Sequence, residues 1–192
     1  MRVLIVDDHD AVRASVLRLF EGEPEMHAAG VAGGQAAVLA SRHDAFDVAV
    51  VDYQLGHGED GLTVTHDLRR LADAPRVLIY SAYADAPLGV LACLAGADGL
   101  LSKGSLGQDL VQAVRDVWAG RRRWPRLPAP IVDGIGARLP ADDRPLFRMW
   151  IDGATDAEVG RALGVTPDEL EARRAGILYV LAVLPGLALV GT

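Results

Sequence analysis

The 192-residue chain has one cysteine, Cys93, and one lysine, Lys103, among 19 basic residues. A single cysteine excludes an internal disulfide and any cysteine-based zinc site, and fits a reducing compartment. Aromatic residues make up only 5% of a chain that is 51% hydrophobic, so the expected core is aliphatic and disorder is excluded. Long hydrophobic runs are also missing. The longest, Ile177 to Val190, contains Pro185-Gly186 and is shorter than the ~20 residues of a membrane span. The N-terminal run, Val3 to Val6, is too short for a signal peptide. These absences predict a soluble cytoplasmic protein with no membrane partner. The net charge of −7 argues against indiscriminate nucleic-acid binding by the whole chain. That charge is uneven: residues 1–120 carry 9 basic and 17 acidic side chains, residues 121–139 carry 5 and 1, and residues 140–192 carry 5 and 8.

What is present begins with strands that stop on carboxylates. Val3-Leu4-Ile5-Val6 ends on Asp7-Asp8, and Val48-Ala49-Val50-Val51 ends on Asp52. Unbroken apolar runs of this length predict strands buried on both faces, as in a parallel sheet. A helix from about His9 to Phe20 follows the first, with Val12, Val16, Leu19 and Phe20 on one face. A weaker strand, Met26 to Val31, precedes a helix over Gln35 to Arg42 with Ala36, Leu39 and Ala40 inward. After Asp52 come a glycine-rich loop and a helix from Leu62 to Leu71. Arg76 to Tyr80 is a fourth strand ending on Ser81, with a helix from Pro87 to Ala95 behind it. Asp98 to Ser102 is a fifth, ending at Lys103, and Leu106 to Trp118 is the last helix of this part. Strict alternation predicts an α/β, doubly wound, five-stranded parallel sheet.

Arg121 to Pro130 breaks the pattern with three prolines and four arginines, and predicts a stiff, solvated linker over 121–139. Residues 140–192 then form a small all-α unit. A helix is expected from Asp143 to Ile151. Thr155-Asp156-Ala157-Glu158 and Thr166-Pro167-Asp168-Glu169 are capping boxes, opening helices to Leu163 and to about Leu181. The tight Gly164-Val165 turn between them predicts a helix-turn-helix.

Strand ends gather Asp7, Asp8, Asp52, Ser81 and Lys103 at the carboxyl edge of the sheet, where open α/β folds hold their ligands. Singly, each has a plainer use: Asp52 closing a turn, Asp8 capping a helix, Ser81 as a loop hydroxyl. Together, three carboxylates call for a hard divalent cation such as Mg²⁺. A hydroxyl and an ammonium beside them suit a phosphoryl group carried on the central carboxylate, Asp52. Lys103 matters because a chain that otherwise uses arginine places its one compact ammonium there.

These residues resemble a response-regulator receiver, and the whole layout resembles the NarL/FixJ (LuxR-type helix-turn-helix) class. The acidic pair Asp7-Asp8, Asp52, Ser81-Ala82 and Lys103 carry the resemblance, with separations of 29 residues from Asp52 to Ser81 and 22 from Ser81 to Lys103. The resemblance implies that a sensor histidine kinase phosphorylates Asp52. It implies that Asp8, Asp52 and the Gln54 main-chain carbonyl hold Mg²⁺, while Asp7 orients its waters. It also implies that Ser81 and Lys103 engage the phosphoryl group, and that a C-terminal helix-turn-helix binds DNA to regulate transcription. A receiver of this kind is a switch rather than an enzyme. The alternative of a Mg²⁺-dependent aspartyl phosphohydrolase would place its nucleophile on the first strand.

The sequence departs from that family at several points. Leu100 stands where the family has an aromatic switch residue, leaving Tyr80 and Tyr83 as possible substitutes. Gly56 replaces a proline, and the stretch to Asp60-Gly61 is one residue longer. In the third C-terminal helix, Asp168 and Glu171 put negative charge where phosphate contacts are expected, leaving Arg173 and Arg174 as the candidate DNA contacts. A second reading keeps the receiver and has a degenerate helical unit act through protein contacts. The tail from Ile177 to Val190, apolar all round, predicts burial. It, or the receiver helices, would meet a second copy or a partner protein.

Overall fold

The computed structural model describes residues 1–56 and 58–182. The chain forms two compact units, one of Met1–Ala84 with Gly96–Pro125, the other of Asp85–Ala95 with the chain from Arg126 onward. The first holds a five-stranded, all-parallel sheet ordered β2-β1-β3-β4-β5. Its strands are β1 (Arg2–Val6), β2 (His27–Val31), β3 (Val48–Asp52), β4 (Arg76–Ser81) and β5 (Gly99–Ser102). Every residue of β3 is buried, as the apolar run demands of a central strand. The helices of this unit are α1 (Asp10–Glu21), α2 (Gly34–His43), α3 (Gly61–Arg69) and α5 (Gly107–Trp118). Val16 and Phe20 of α1 and Leu110, Val114 and Val117 of α5 share a core with Ile5, Val50 and Leu78.

Helix α2 departs from the sequence expectation. Ala36 and Leu39 are exposed, Leu39 by 56%, whereas Gly34, Ala37 and Ser41 are buried. The helix packs on α3 through its smallest residues. A Cβ on Gly34 would collide with Val64, so the close face is the one without bulk. Apolar periodicity alone favours the larger side chains and picks the wrong face.

The expected linker is also more structured than its composition suggests. Arg123 runs beside β5: it accepts from Leu100 N at 2.8 Å and donates to the Asp98 carbonyl at 3.1 Å. Asp116 of α5 pairs with Arg121 at 2.8 Å and Arg123 at 3.3 Å. Hydrogen bonds from Arg121 and Gln112 hold its carboxyl below the usual range. Further on, α6 (Ala129–Gly136) buries Val132 and Ile135, with Leu139 just beyond it. Its proline lies in the first turn, where a missing N–H costs nothing.

In the second unit, α4 (Ala86–Ala95) meets α6, α7 (Arg144–Ile151) and α9 (Pro167–Ala182). Every residue of α4 from Leu88 to Ala95 is buried, as an apolar-all-round helix requires. Helix α8 (Asp156–Leu163) opens on a complete capping box, with Thr155 and Glu158 each bonding the other's main chain. Gly164 ends it in the left-handed conformation, φ 69°. Thr166 Oγ1 accepts from Glu169 N at 3.3 Å at the start of α9.

Helix α9 buries Leu170, Ile177 and Leu181 while leaving Tyr179 71% exposed. Burial on every side therefore fails for the described part of the apolar tail, and residues 183–190 of that tail lie outside the described residues. Among the described residues no helix is long and apolar enough to cross a membrane. Gly176, exposed in mid-helix with nothing within 4 Å of an added Cβ, has no packing role. Gly176→Ala is expected to raise the stability of this unit by up to about 1 kcal/mol, measured by urea unfolding.

Candidate functional site

The strand order reverses direction between β1 and β3, which pair in register Val6↔Val51. Connections leave these two strands to opposite sides, opening a crevice at their carboxyl ends. The chain places Asp7 just past β1 and Asp52 at the last position of β3, both buried, at 3% and 5% exposure. Lys103, one residue past β5, reaches into the crevice. Its Nζ lies 2.8 Å from Asp7 Oδ2 and 2.9 Å from Asp52 Oδ2. The backbone that carries it is fixed by Lys103 N donating to the Ser81 carbonyl at 2.7 Å.

Burial pushes the Asp52 carboxyl above its ordinary range, against the hydrogen bond and charge of Lys103, which pull it down. For Lys103, burial works to lower the ammonium, but its hydrogen bonds to Asp7 and Asp52 outweigh this and the net shift is upward. The lysine is therefore the counter-charge that offsets the burial of the Asp52 carboxylate.

Asp8 is not the cap of α1. His9 holds the N-cap position with no side-chain capping bond, and Asp8 Oδ2 instead accepts from Gly56 N at 3.0 Å. The proline of the family pattern would lack that donor, so Gly56 is matched to Asp8 across the crevice. Asp8 Oδ1 is buried and has no hydrogen bond. Ligand atoms of Asp7, Asp8, His9 and Asp52 lie within 4.8 Å of one another. A buried, unsatisfied carboxylate oxygen beside two more carboxylates, with one ammonium between them, fits a divalent cation. The cluster could hold a metal with Asp8 and Asp52 as ligands. Gln54, exposed, has its N–H 3.4 Å from Asp52 Oδ1.

Ser81 is buried at 1%, and its Oγ accepts from Tyr83 N at 3.1 Å. The register pairs Ile79 with Leu100 and Ser81 with Ser102. Side chains alternate across a sheet, so Leu100 shares a face with Ile79 and Ser81. Tyr80 and Leu101 pack on the opposite face, against the α1–α5 core. Tyr80 therefore does not replace the missing ring beside Ser81. Tyr83, 55% exposed, stands in the loop after Ser81. Position 100 itself is filled by a buried leucine, 5% exposed.

In the helical unit neither candidate DNA-contacting arginine is free. Arg174 stacks on Trp150, 4.2 Å from its ring centre, donates to the Leu94 carbonyl at 3.0 Å and pairs with Asp156. Arg173 donates to the Asp142 carbonyl at 3.2 Å and lies 3.4 Å from Asp143. Both guanidinium groups hold the fold together. Apart from Glu169, 3.9 Å from Arg173 one turn earlier in the same helix, their partners lie in other segments, which sequence spacing could not show. Two site features escaped the sequence reading: His9 beside the acidic pair, and Glu59, whose Oε2 accepts from Gly34 N at 2.8 Å at the start of α2. A histidine directly after Asp7-Asp8 was the available signal for the first.

The family model of the response regulator receiver domain matches residues 3–115. The chain is 38% identical over 122 residues to the DNA-binding transcriptional activator DevR/DosR of Mycobacterium tuberculosis, an alignment covering 63% of this chain and 56% of that protein. It thus spans about half the length of the curated relatives it matches. A two-component response regulator of the LuxR family from Aurantimonas sp. superposes with a TM-score of 0.62 at 32% identity, over 69% of this chain and 96% of that one. The RcsB response regulator of Salmonella typhimurium shares the fold over 98% of this chain and 95% of its own, with a TM-score of 0.59 at 17% identity. The acid-lined crevice and these likenesses agree, and the chain belongs to the response regulator receiver family, in its NarL/FixJ type.

Proposed function

We propose that this protein is the response regulator of a two-component phosphorelay, with residues 1–120 as receiver, 121–139 as connection and 140–192 as output. A sensor histidine kinase is its phosphoryl donor and Asp52 its acceptor. The observation that carries this is Lys103 bridging two buried carboxylates at the sheet's switch point. An Asp52 carboxylate oxygen forms the bond to phosphorus as the bond to the donor breaks, and the donor group leaves with the electron pair. Lys103 then pairs with a phosphoryl oxygen, and the Ser81 hydroxyl donates to another. Asp8, Asp52 and the Gln54 carbonyl are the proposed Mg²⁺ ligands, with Asp7 orienting its waters. The cation supplies charge neutralisation for the transferring group. Incubation with acetyl phosphate and Mg²⁺ is expected to add one acid-labile phosphoryl group per chain, and Asp52→Asn to abolish it. Undiminished labelling of that variant would remove Asp52 as the acceptor.

The output is proposed to regulate transcription through its helix-turn-helix; DevR/DosR is by name a DNA-binding transcriptional activator. The engagement of Arg173 and Arg174 within their own helical unit favours a second reading, in which this unit acts by protein contacts. The two separate on binding to duplex DNA at low salt. A regulator that grips phosphates loses affinity steeply as salt rises. The transcriptional reading expects such binding from the phosphorylated protein, and its absence in both states leaves the protein-contact reading.

A further inference from the structure

We infer that His9 is an additional protein ligand of the cation at the acidic crevice, and that it biases the site from Mg²⁺ towards borderline divalent ions such as Mn²⁺ or Co²⁺. The inference rests on the proposed cation site and adds a residue to it. His9 N donates to Asp7 Oδ1 at 2.9 Å, fixing the backbone that carries the imidazole. The ring is not used by α1, since His9 makes no side-chain capping bond. It turns instead to the crevice, where Nδ1 lies 2.9 Å from Asp8 Oδ1 and 3.6 Å from Asp7 Oδ1.

The first of these distances has the length of a coordination edge. Two ligands at right angles on one ion, each about 2.1 Å from it, stand about 3.0 Å apart. Asp8 Oδ1 makes no hydrogen bond despite that proximity, and a shared ion would give both atoms a partner. The exposed imidazole, with a side-chain exposure of 66%, sits at the crevice mouth, where an ion entering from solvent would meet it. Carboxylate, carbonyl and water alone suit Mg²⁺, whereas an added imidazole nitrogen favours the later first-row ions. The sequence places this nitrogen next to the acidic pair, so selectivity and affinity arise on one short segment.

The test uses the full chain with Mn²⁺ and Mg²⁺ added separately, read by calorimetric titration and by electron spin-echo spectroscopy of bound Mn²⁺. Wild type is expected to bind Mn²⁺ at least about tenfold more tightly than Mg²⁺ and to show ¹⁴N coupling to the ion. His9→Gln should lose the coupling and most of that preference, weakening Mn²⁺ more than Mg²⁺. Asp8→Asn should weaken both ions, which ties the signal to this crevice rather than to another histidine. Bound Mn²⁺ without nitrogen coupling, or a preference unchanged in His9→Gln, overturns the inference and leaves the cation site standing. Failure of wild type to bind either ion overturns both.

Discussion

Gly61→Ala is expected to destabilise the receiver by about 3 kcal/mol and to cut phosphoryl incorporation at Asp52 at least tenfold. Gly61 opens α3 and is buried against the end of β3. A Cβ there would collide with the Asp52 carbonyl oxygen and lie 2.9 Å from Tyr53 Cα. These are backbone atoms, which cannot swing aside as a side-chain tip can. Relief must come from moving either β3 or the start of α3. Both are tied: Gly61 N donates to the Tyr53 carbonyl at 2.8 Å, and Asp60 caps the helix through Leu62 N and Thr63 N at 2.9 Å each. Displacing this junction shifts Asp52 relative to Lys103, and the proposed acceptor loses its counter-charge together with its stability. Urea unfolding and acetyl phosphate labelling read the two effects on one sample. A variant with an unchanged midpoint would show that the junction yields, and with it the claim of a rigid seat for Asp52 would fail.

Much of this site was legible in the sequence because its parts obey local rules. A buried strand ending on a carboxylate, as β1 and β3 do, announces itself by composition, and five strands in alternation with helices leave few topologies open. Asp7, Asp52 and Lys103 meet as their strand ends required. Features set by packing between distant segments were not legible. The buried face of α2 is chosen by Val64 of α3, which apolar periodicity does not register. The prolines after Arg123 suggested a solvated linker, yet they start a helix whose burial depends on residues far along the chain. Arg174 counted as a phosphate contact by its place in a helix-turn-helix, while Trp150, Leu94 and Asp156 claim it in the fold. Leu100 was visible as a departure, but only the register of β4 and β5 showed that Tyr80 lies on the wrong face to compensate. The input site follows local sequence, and the output unit follows tertiary choices.

The second large effect concerns the lysine itself. Lys103→Ala is expected to cost about 2–3 kcal/mol near neutral pH in the presence of a chelator. Removing one partner of a buried ion pair strands the other charges, typically at 3–5 kcal/mol. The 20% exposure of the lysine side chain reduces that figure. The pH dependence has a defined sign. Lys103 is raised above its ordinary value in the fold, so its pairing stabilises fully below the unfolded pKa of the ammonium and is lost as pH rises through the folded one. Asp52, also raised, by burial, has the same sign in a lower pH window: it favours the fold while protonated, and stability falls as pH rises through its folded pKa. Without Lys103 only the Gln54 N–H opposes that burial, so the variant's deficit should be largest from neutral pH up to the lysine titration. It should shrink in acid as Asp52 takes a proton, and shrink again in strong alkali as the wild type loses its ammonium. Millimolar Mg²⁺ should raise the unfolding midpoint of the variant more than that of the wild type, because the cation takes over the missing positive charge and stabilises by binding only the fold. Chemical unfolding at about pH 4, 7.5 and 11, with and without Mg²⁺, measures each arm. A deficit that stays constant across all of them would mean that Lys103 contributes packing alone, and the electrostatic account of the crevice would not survive.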